Sequence, residues 1–221
     1  MNGAGTSFFD KGLVAANYFY WFLLANFYFL LSNIILIEIY LNFDLTIENL
    51  PVFIAAALPS GFSIMPILGL MGKLVREGHV NATRDYFRFY VMNLKESLSY
   101  WGVVLMVTGS LMIAGNRVQN PVLNAVLALS VLLTVLLALV LFVIASRFSF
   151  SFKTTFSLAV FYLVKGWDRV LGSMVVLGAF YLALTRFSPY VILVVSSGAF
   201  YLIALLFKDI LLEIEAKMKK N

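Results

Sequence analysis

Residues 118–146 read VQNPVLNAVLALSVLLTVLLALVLFVIAS and contain no charged side chain. An α-helix needs about 20 mostly apolar residues to cross the hydrocarbon core of a bilayer, and each ionised group near its centre costs at least about 2.5–3.5 kcal/mol. A stretch of this length and composition therefore predicts a transmembrane helix. Other charge-free windows lie at residues 12–37, 49–72, 97–116, 170–185 and 187–207.

The overall composition agrees with a chain that is solvated mainly by lipid. Hydrophobic residues make up 62% and charged residues 12% of the 221 residues, whereas a soluble domain is about half apolar and about a quarter charged. We predict one all-α domain over residues 1–221, a polytopic transmembrane helical bundle of about six spans, with five possible. The predicted spans lie near residues 15–38, 50–72, 98–115, 122–145, 168–186 and 189–207.

The basic residues divide unequally between the two ends of the predicted spans. Fourteen of the 16 Lys and Arg residues fall at the start of the chain, in residues 73–96 and 147–169, or in the C-terminal tail. Only Arg117 and Arg186 fall on the opposite side. Because cytoplasmic loops carry an excess of Lys and Arg, we expect both long connections and both termini to lie in the cytoplasm.

The connection between spans 2 and 3 is predicted to form an amphipathic helix over Thr83–Ser97, with Thr83 as N-cap and Asp85 in the first turn. It combines apolar and basic residues on adjacent faces: Phe87, Val91 and Leu94, and Arg84, Arg88 and Lys95. We expect this helix to lie along the membrane surface, where a partner or anionic lipid docks. The alternative is a short helix packed under the bundle with solvated charges.

The connection between spans 4 and 5 also looks structured. Residues 154–164 are uncharged but too few to cross a bilayer, and the run ends at Lys165 and Gly166. This pattern predicts an interfacial or re-entrant helix with a glycine stop.

The middle of the second window reads LPSGFSIMP at residues 58–66. Each proline removes a backbone donor and crowds the preceding turn, so we expect a kinked or broken helix at Pro59 and Pro66. Broken helices often line transporter sites, although a kink that only shapes packing is more common. The candidate binding residues here are Pro59, Ser60, Gly61, Ser63 and Pro66.

Two asparagines of the first window, Asn26 and Asn33, are further binding candidates. Their spacing of seven keeps them near one helix face. They would hydrogen-bond to neighbouring helices or, alternatively, line a polar solute path.

The residues that catalysis requires are scarce. The chain has no cysteine and a single histidine, His79, and the predicted spans contain no paired carboxylates for acid–base or metal chemistry. We therefore predict no catalytic residue, no metal site and no cofactor. The basic residues flank apolar runs, so the expected partner is the lipid bilayer and not a nucleic acid.

Several short motifs extend over nearly the whole chain. They are LPSG at 58–61, KLVREG at 73–78, DYFR at 85–88 with NLKES at 93–97, and the segment from FK at 152–153 to KGW at 165–167. In this order they resemble the YesL family of bacterial integral membrane proteins, a domain of unknown function. Asn26 in ANFY at 25–28 looks like the family's first-span asparagine. A proline often seen before the fifth span of the family is absent.

Members of that family look like companions of bacterial carbohydrate uptake systems of the ABC type. The resemblance implies a multi-pass protein of the bacterial cytoplasmic membrane with a non-catalytic accessory or regulatory role, and an ABC transporter permease as a candidate partner. The alternative function is a small transporter or channel with a solute path beside the second span. The oligomeric state, the ligand and the partner's identity stay open.

Overall fold

The computed structural model describes residues 8–186 and 192–219, and within these residues the regular structure is entirely α-helical. The predicted all-α helical bundle is confirmed. Its helices are α1 (Phe8–Ser32), α2 (Ile34–Asn42), α3 (Leu50–Glu77), α4 (Ala82–Met92), α5 (Leu94–Arg117), α6 (Pro121–Ala145), α7 (Phe152–Lys165), α8 (Trp167–Arg186), α9 (Ile192–Leu206) and α10 (Lys208–Met218).

Apart from α2, which lies between α1 and α3, the short helices each follow a pair of longer ones. In each case the two longer helices pack side by side and the short helix follows: α1 and α3 then α4, α5 and α6 then α7, and α8 and α9 then α10. Helix α3 lies at the centre, because it packs against α1, α2, α4, α5, α6 and α9. The buried core accordingly gathers around the second half of α3 and the end of α6.

Within the described part of the chain, four helical segments are long and apolar enough to cross a membrane: Gly12–Ser32, Leu50–Glu77, Leu94–Arg117 and Pro121–Ala145. A fifth is possible if Val195–Leu206 and Lys208–Met218 form one span bent by 50°. Helix α8 occupies the predicted fifth span, and the predicted sixth span begins at residue 189, outside the described residues. The count of six therefore stays a prediction.

Of the two alternatives predicted for the second span, a kink or a break, the structure excludes the break. Helix α3 continues without interruption from Leu50 to Glu77 with Pro59 and Pro66 inside it. A proline removes only its own backbone donor, and the other bonds of a long, enclosed helix hold the segment together. The indole N–H of Trp101 also donates to the carbonyl of Ala57, at 2.7 Å. A bend within the continuous helix stays a prediction.

The interruption lies in the first span instead, at Asn33, between α1 and α2. The backbone N–H of Asn33 donates to the Leu30 carbonyl at 3.0 Å, one residue short of the helical partner. The side-chain amide of Asn33 donates to the carbonyl of Phe29 at 2.6 Å and so takes the place of the missing backbone bond. Side-chain competition of this kind is typical of asparagine.

The predicted helix Thr83–Ser97 is shorter than expected. Helix α4 ends at Met92, and the chain turns at the buried Asn93, so that Leu94 and Lys95 belong to the first turn of α5. The N-cap is Asn81 and not Thr83, because the Asn81 side chain accepts from the Arg84 N–H at 3.1 Å. Asp85 does lie in the first turn. The second connection forms α7, which ends at Gly166 as predicted.

The unequal charge division gives a direct test of orientation. We expect single cysteines at Arg84 or Lys153 to react with a membrane-impermeant maleimide only after the cytoplasmic face is opened, and cysteines at Asn42 or Arg117 to react in intact cells. All four side chains are exposed, and the chain has no native cysteine to interfere. Labelling of the Arg84 position in intact cells would show the opposite orientation.

Candidate functional site

A buried polar contact joins the interruption of the first span to the middle of α3. The side-chain amide of Asn33 donates to Ser63 Oγ at 2.8 Å, and the Ser63 hydroxyl donates to the Ser60 carbonyl at 2.9 Å. All three residues are buried. We call Asn33, Ser60 and Ser63 the inner polar contact. It connects α1 and α2 to α3 through hydrogen bonds between buried side chains.

The hydroxyl of Ser60 is the unsatisfied group of the inner polar contact. Ser60 Oγ is buried and, among the described residues, has no hydrogen-bond partner. Leaving a buried polar group unpaired costs about 1–3 kcal/mol, so such a group is a candidate for contact with a polar ligand or an ordered water.

Asn26 belongs to a separate contact. It is fully buried, and its Oδ1 accepts from the backbone N–H of Ser197 on α9, at 3.2 Å. Ser196 and Ser197 are buried as well, and the sequence analysis missed both. The signal available was a pair of hydroxyl residues inside an otherwise apolar window. The two asparagines therefore bind different helices, Asn26 to α9 and Asn33 to α3.

Of the remaining candidates on α3, Gly61 lies at a close helix crossing. An added Cβ at Gly61 would lie 2.6 Å from the Cβ of Trp101 on α5. Pro59 is half-buried, and Pro66 is buried in the densely packed second half of α3. Gly61 thus permits α3 and α5 to approach, and this position serves packing.

Two open crevices lie away from these polar residues. One, of about 430 Å³, is lined by Ile47 and by residues of the end of α5 and the first half of α6. The other, of about 550 Å³, is lined by mainly apolar residues of α1, α8 and α9. Neither is lined by Asn26, Asn33, Ser60 or Ser63. In residues 8–186 and 192–219, His, Asp and Glu side chains form no group of three that could hold a metal ion.

Helix α4 is attached to the bundle by an ion pair. Lys73 Nζ at the end of α3 lies 2.7 Å from Asp85 Oδ2, and the Asn81 N–H donates to the same oxygen at 3.0 Å. The Asp85 side chain is only 7% exposed. Tyr86 on the same face is buried and packs against Tyr28 of α1. These contacts determine which face of α4 points inward.

The opposite face of α4 carries the predicted docking residues. Arg84, Phe87, Arg88 and Val91 are exposed, as are Leu94 and Lys95 in the first turn of α5. The apolar face that we expected to need burial is therefore open in the isolated chain. Phe87 retains an edge contact with the ring of Tyr28.

The C-terminal helix α10 makes contacts with the bundle that the sequence analysis did not predict. Ile210, Leu211 and Ile214 are buried beneath the bundle. Glu213 accepts from Lys165 of α7 at 2.5 Å, and Glu215 pairs with Arg147. The available signal was the spacing of the three apolar residues at one turn, beside an i,i+4 Glu213–Lys217 pair.

The polar candidates are thus placed at helix contacts, and the charged ones lie on α4 and in the first turn of α5, at the end of the bundle where α3 terminates. Comparison of the chain with known protein families, with curated proteins and with solved structures finds no match. The resemblance to the YesL family stays a prediction.

Proposed function

We propose that this chain is a non-catalytic accessory or regulatory integral membrane protein that associates with a bacterial carbohydrate uptake system of the ABC type. The observation that carries the accessory role is the use of the polar residues of the spans: Asn33, Ser63 and Asn26 are buried and hydrogen-bonded to neighbouring helices. Polar groups that hydrogen-bond to neighbouring helices in this way stabilise a bundle.

The short helices support the same proposal. Helices α4, α7 and α10 are ordered, and each carries charged residues that the long helices lack over most of their length. An accessory protein needs such surfaces outside the hydrocarbon layer. The assignment to carbohydrate uptake, and to a permease as partner, rests on the resemblance described above.

A small transporter or channel is the second candidate, and Ser60 is the observation that favours it. Its buried hydroxyl has no partner among the described residues and lies on the central helix beside the Asn33–Ser63 hydrogen bond. A polar solute that passed between α1 and α3 would meet this group.

Reconstitution separates the two candidates. In proteoliposomes of the purified full-length protein, we expect radiolabelled mono- and disaccharides to enter no faster than into protein-free vesicles, because the inner polar contact is closed by its own hydrogen bonds. In native membranes, we expect cross-linking followed by mass spectrometry to recover an ABC permease subunit with the tagged protein.

An unrelated multi-pass protein with the same tag and expression level controls for non-specific recovery. Uptake several times above that of empty vesicles, abolished by Ser60→Ala but retained by Ser130→Ala on α6, would contradict the accessory role and support transport. Recovery of no permease above the control would contradict the association.

A further inference from the structure

The two faces of α4 differ in charge as well as in burial. Between Ala82 and Met92 the only acidic residue is Asp85, and it turns inward to Lys73. The exposed charges of this helix, Arg84 and Arg88, are both basic. Inward pairing of the carboxylate thus leaves a cationic outer face.

The same outer face is also apolar. Val91 is 74% exposed, and Phe87, Met92 and Leu94 are exposed too. Residues 84, 87, 88 and 91 share one side of α4 by their spacing of three or four, and the exposed Leu94 and Lys95 follow directly after Asn93, in the first turn of α5. Water solvates the guanidinium groups but not the apolar side chains, whereas a lipid headgroup layer accommodates both.

The position of α4 determines which surface it meets. One residue, Asn93, separates it from α5, and four residues separate it from α3. Both neighbours are helices long and apolar enough to span a membrane. The outer face of α4 is therefore held at the level where two spanning helices leave the hydrocarbon layer.

We propose that α4 is a binding surface for anionic phospholipid, in which Arg84, Arg88 and Lys95 contact headgroup phosphates while Phe87, Val91 and Leu94 lie against the upper acyl chains. Glu96 beside Lys95 is half-buried, and Glu77 lies 3.9 Å from Lys73, so neither carboxylate neutralises the positive charge of the outer face. The Lys73–Asp85 pair sets the orientation of the helix and does not itself contact lipid.

The test uses a fluorophore attached to a single cysteine at Val91 in the full-length protein, which has no native cysteine. The labelled protein is reconstituted into phosphatidylcholine vesicles that contain about 20 mole per cent of a spin-labelled lipid, either phosphatidylglycerol or phosphatidylcholine. In the phosphatidylglycerol vesicles this is roughly the anionic content that gives a substantial surface potential. We expect the spin-labelled anionic lipid to quench the fluorescence of the probe at least about threefold more strongly than spin-labelled phosphatidylcholine does. This preference should shrink at high salt.

The variant Arg84→Gln, Arg88→Gln, Lys95→Gln should reduce that preference to about one. A cysteine at Val122, at the other end of the bundle and 72% exposed, is the matched control position and should show a much smaller preference. An unchanged preference in the triple variant would overturn the proposal. So would a Val91 probe that is quenched by aqueous iodide and not by either lipid, the outcome expected if this face binds a soluble partner.

Discussion

Replacing Asp85 by alanine is expected to cause a large loss of thermal stability. Asp85 Oδ2 accepts from both Lys73 Nζ and the Asn81 N–H, so the substitution leaves two donors without their acceptor. Removing one partner of a buried ion pair costs about 3–5 kcal/mol. The Lys73 side chain is 24% exposed, so its ammonium group regains some hydration when Asp85 is removed. We therefore expect the free energy of unfolding to fall by about 2–3 kcal/mol.

The melting temperature of detergent-solubilised protein, followed by fluorescence-detected size exclusion after heating, measures this effect. Asp85→Asn keeps an oxygen acceptor for the Asn81 N–H and should lose less. Asp209→Ala removes an exposed carboxylate from α10 and is the matched control, with little expected change. If Asp85→Ala melts at the control temperature, α4 is not held by this pair. A Lys73→Met, Asp85→Leu double variant should regain part of the loss, because no unpaired charge remains.

Gly61→Ala is the second substitution with a large expected effect. The new Cβ would lie 2.6 Å from the Cβ of Trp101, which is attached directly to the α5 backbone and cannot swing away. Overpacking of this kind costs about 1–3 kcal/mol. Displacement of Trp101 would also strain its hydrogen bond to the Ala57 carbonyl. We expect a clearly lower melting temperature and changed tryptophan fluorescence.

Two glycines provide matched controls for Gly61. Gly102 is the neighbour of Trp101 on α5 and has no atom within 4 Å of an added Cβ, so Gly102→Ala should be neutral or slightly stabilising. At Gly109 the nearest atom is also 2.6 Å away, but it is the terminal methyl of Ile54, which can move. A Gly61→Ala variant that melts like Gly102→Ala would show that α3 and α5 are not in close contact at this position.

The class of structure follows from the sequence because the bilayer imposes a simple rule. Every charge-free window must satisfy its backbone internally, so long apolar windows become helices regardless of how they pack. Windows 49–72, 97–116 and 118–146 accordingly correspond to α3, α5 and α6, with bounds that differ by a few residues. The glycine stop at Gly166 and the acidic first turn at Asp85 depend on neighbouring residues only, and both are confirmed.

The course of the individual helices depended on contacts between distant residues. Two prolines suggested a kink or a break in the second span, yet α3 continues without a break. Asn33 interrupts the first span instead, because its side-chain amide donates to the carbonyl of Phe29 and to Ser63, 30 residues away. A proline or an asparagine in the sequence is a local signal. It does not indicate which neighbouring helix will form a hydrogen bond with that part of the chain.

The dependence on distant contacts also explains which features of the candidate residues could be predicted and which could not. The sequence alone determined that polar groups such as Asn26 and Asn33 occur inside apolar windows, and that basic residues gather in the connections. Only the tertiary structure decided that Asn26 bonds to α9, that Asp85 turns inward to Lys73, and that α10 pairs with α7. Composition and spacing depend on residues close together in the chain, whereas a buried polar group is satisfied by whichever helix the packing brings beside it.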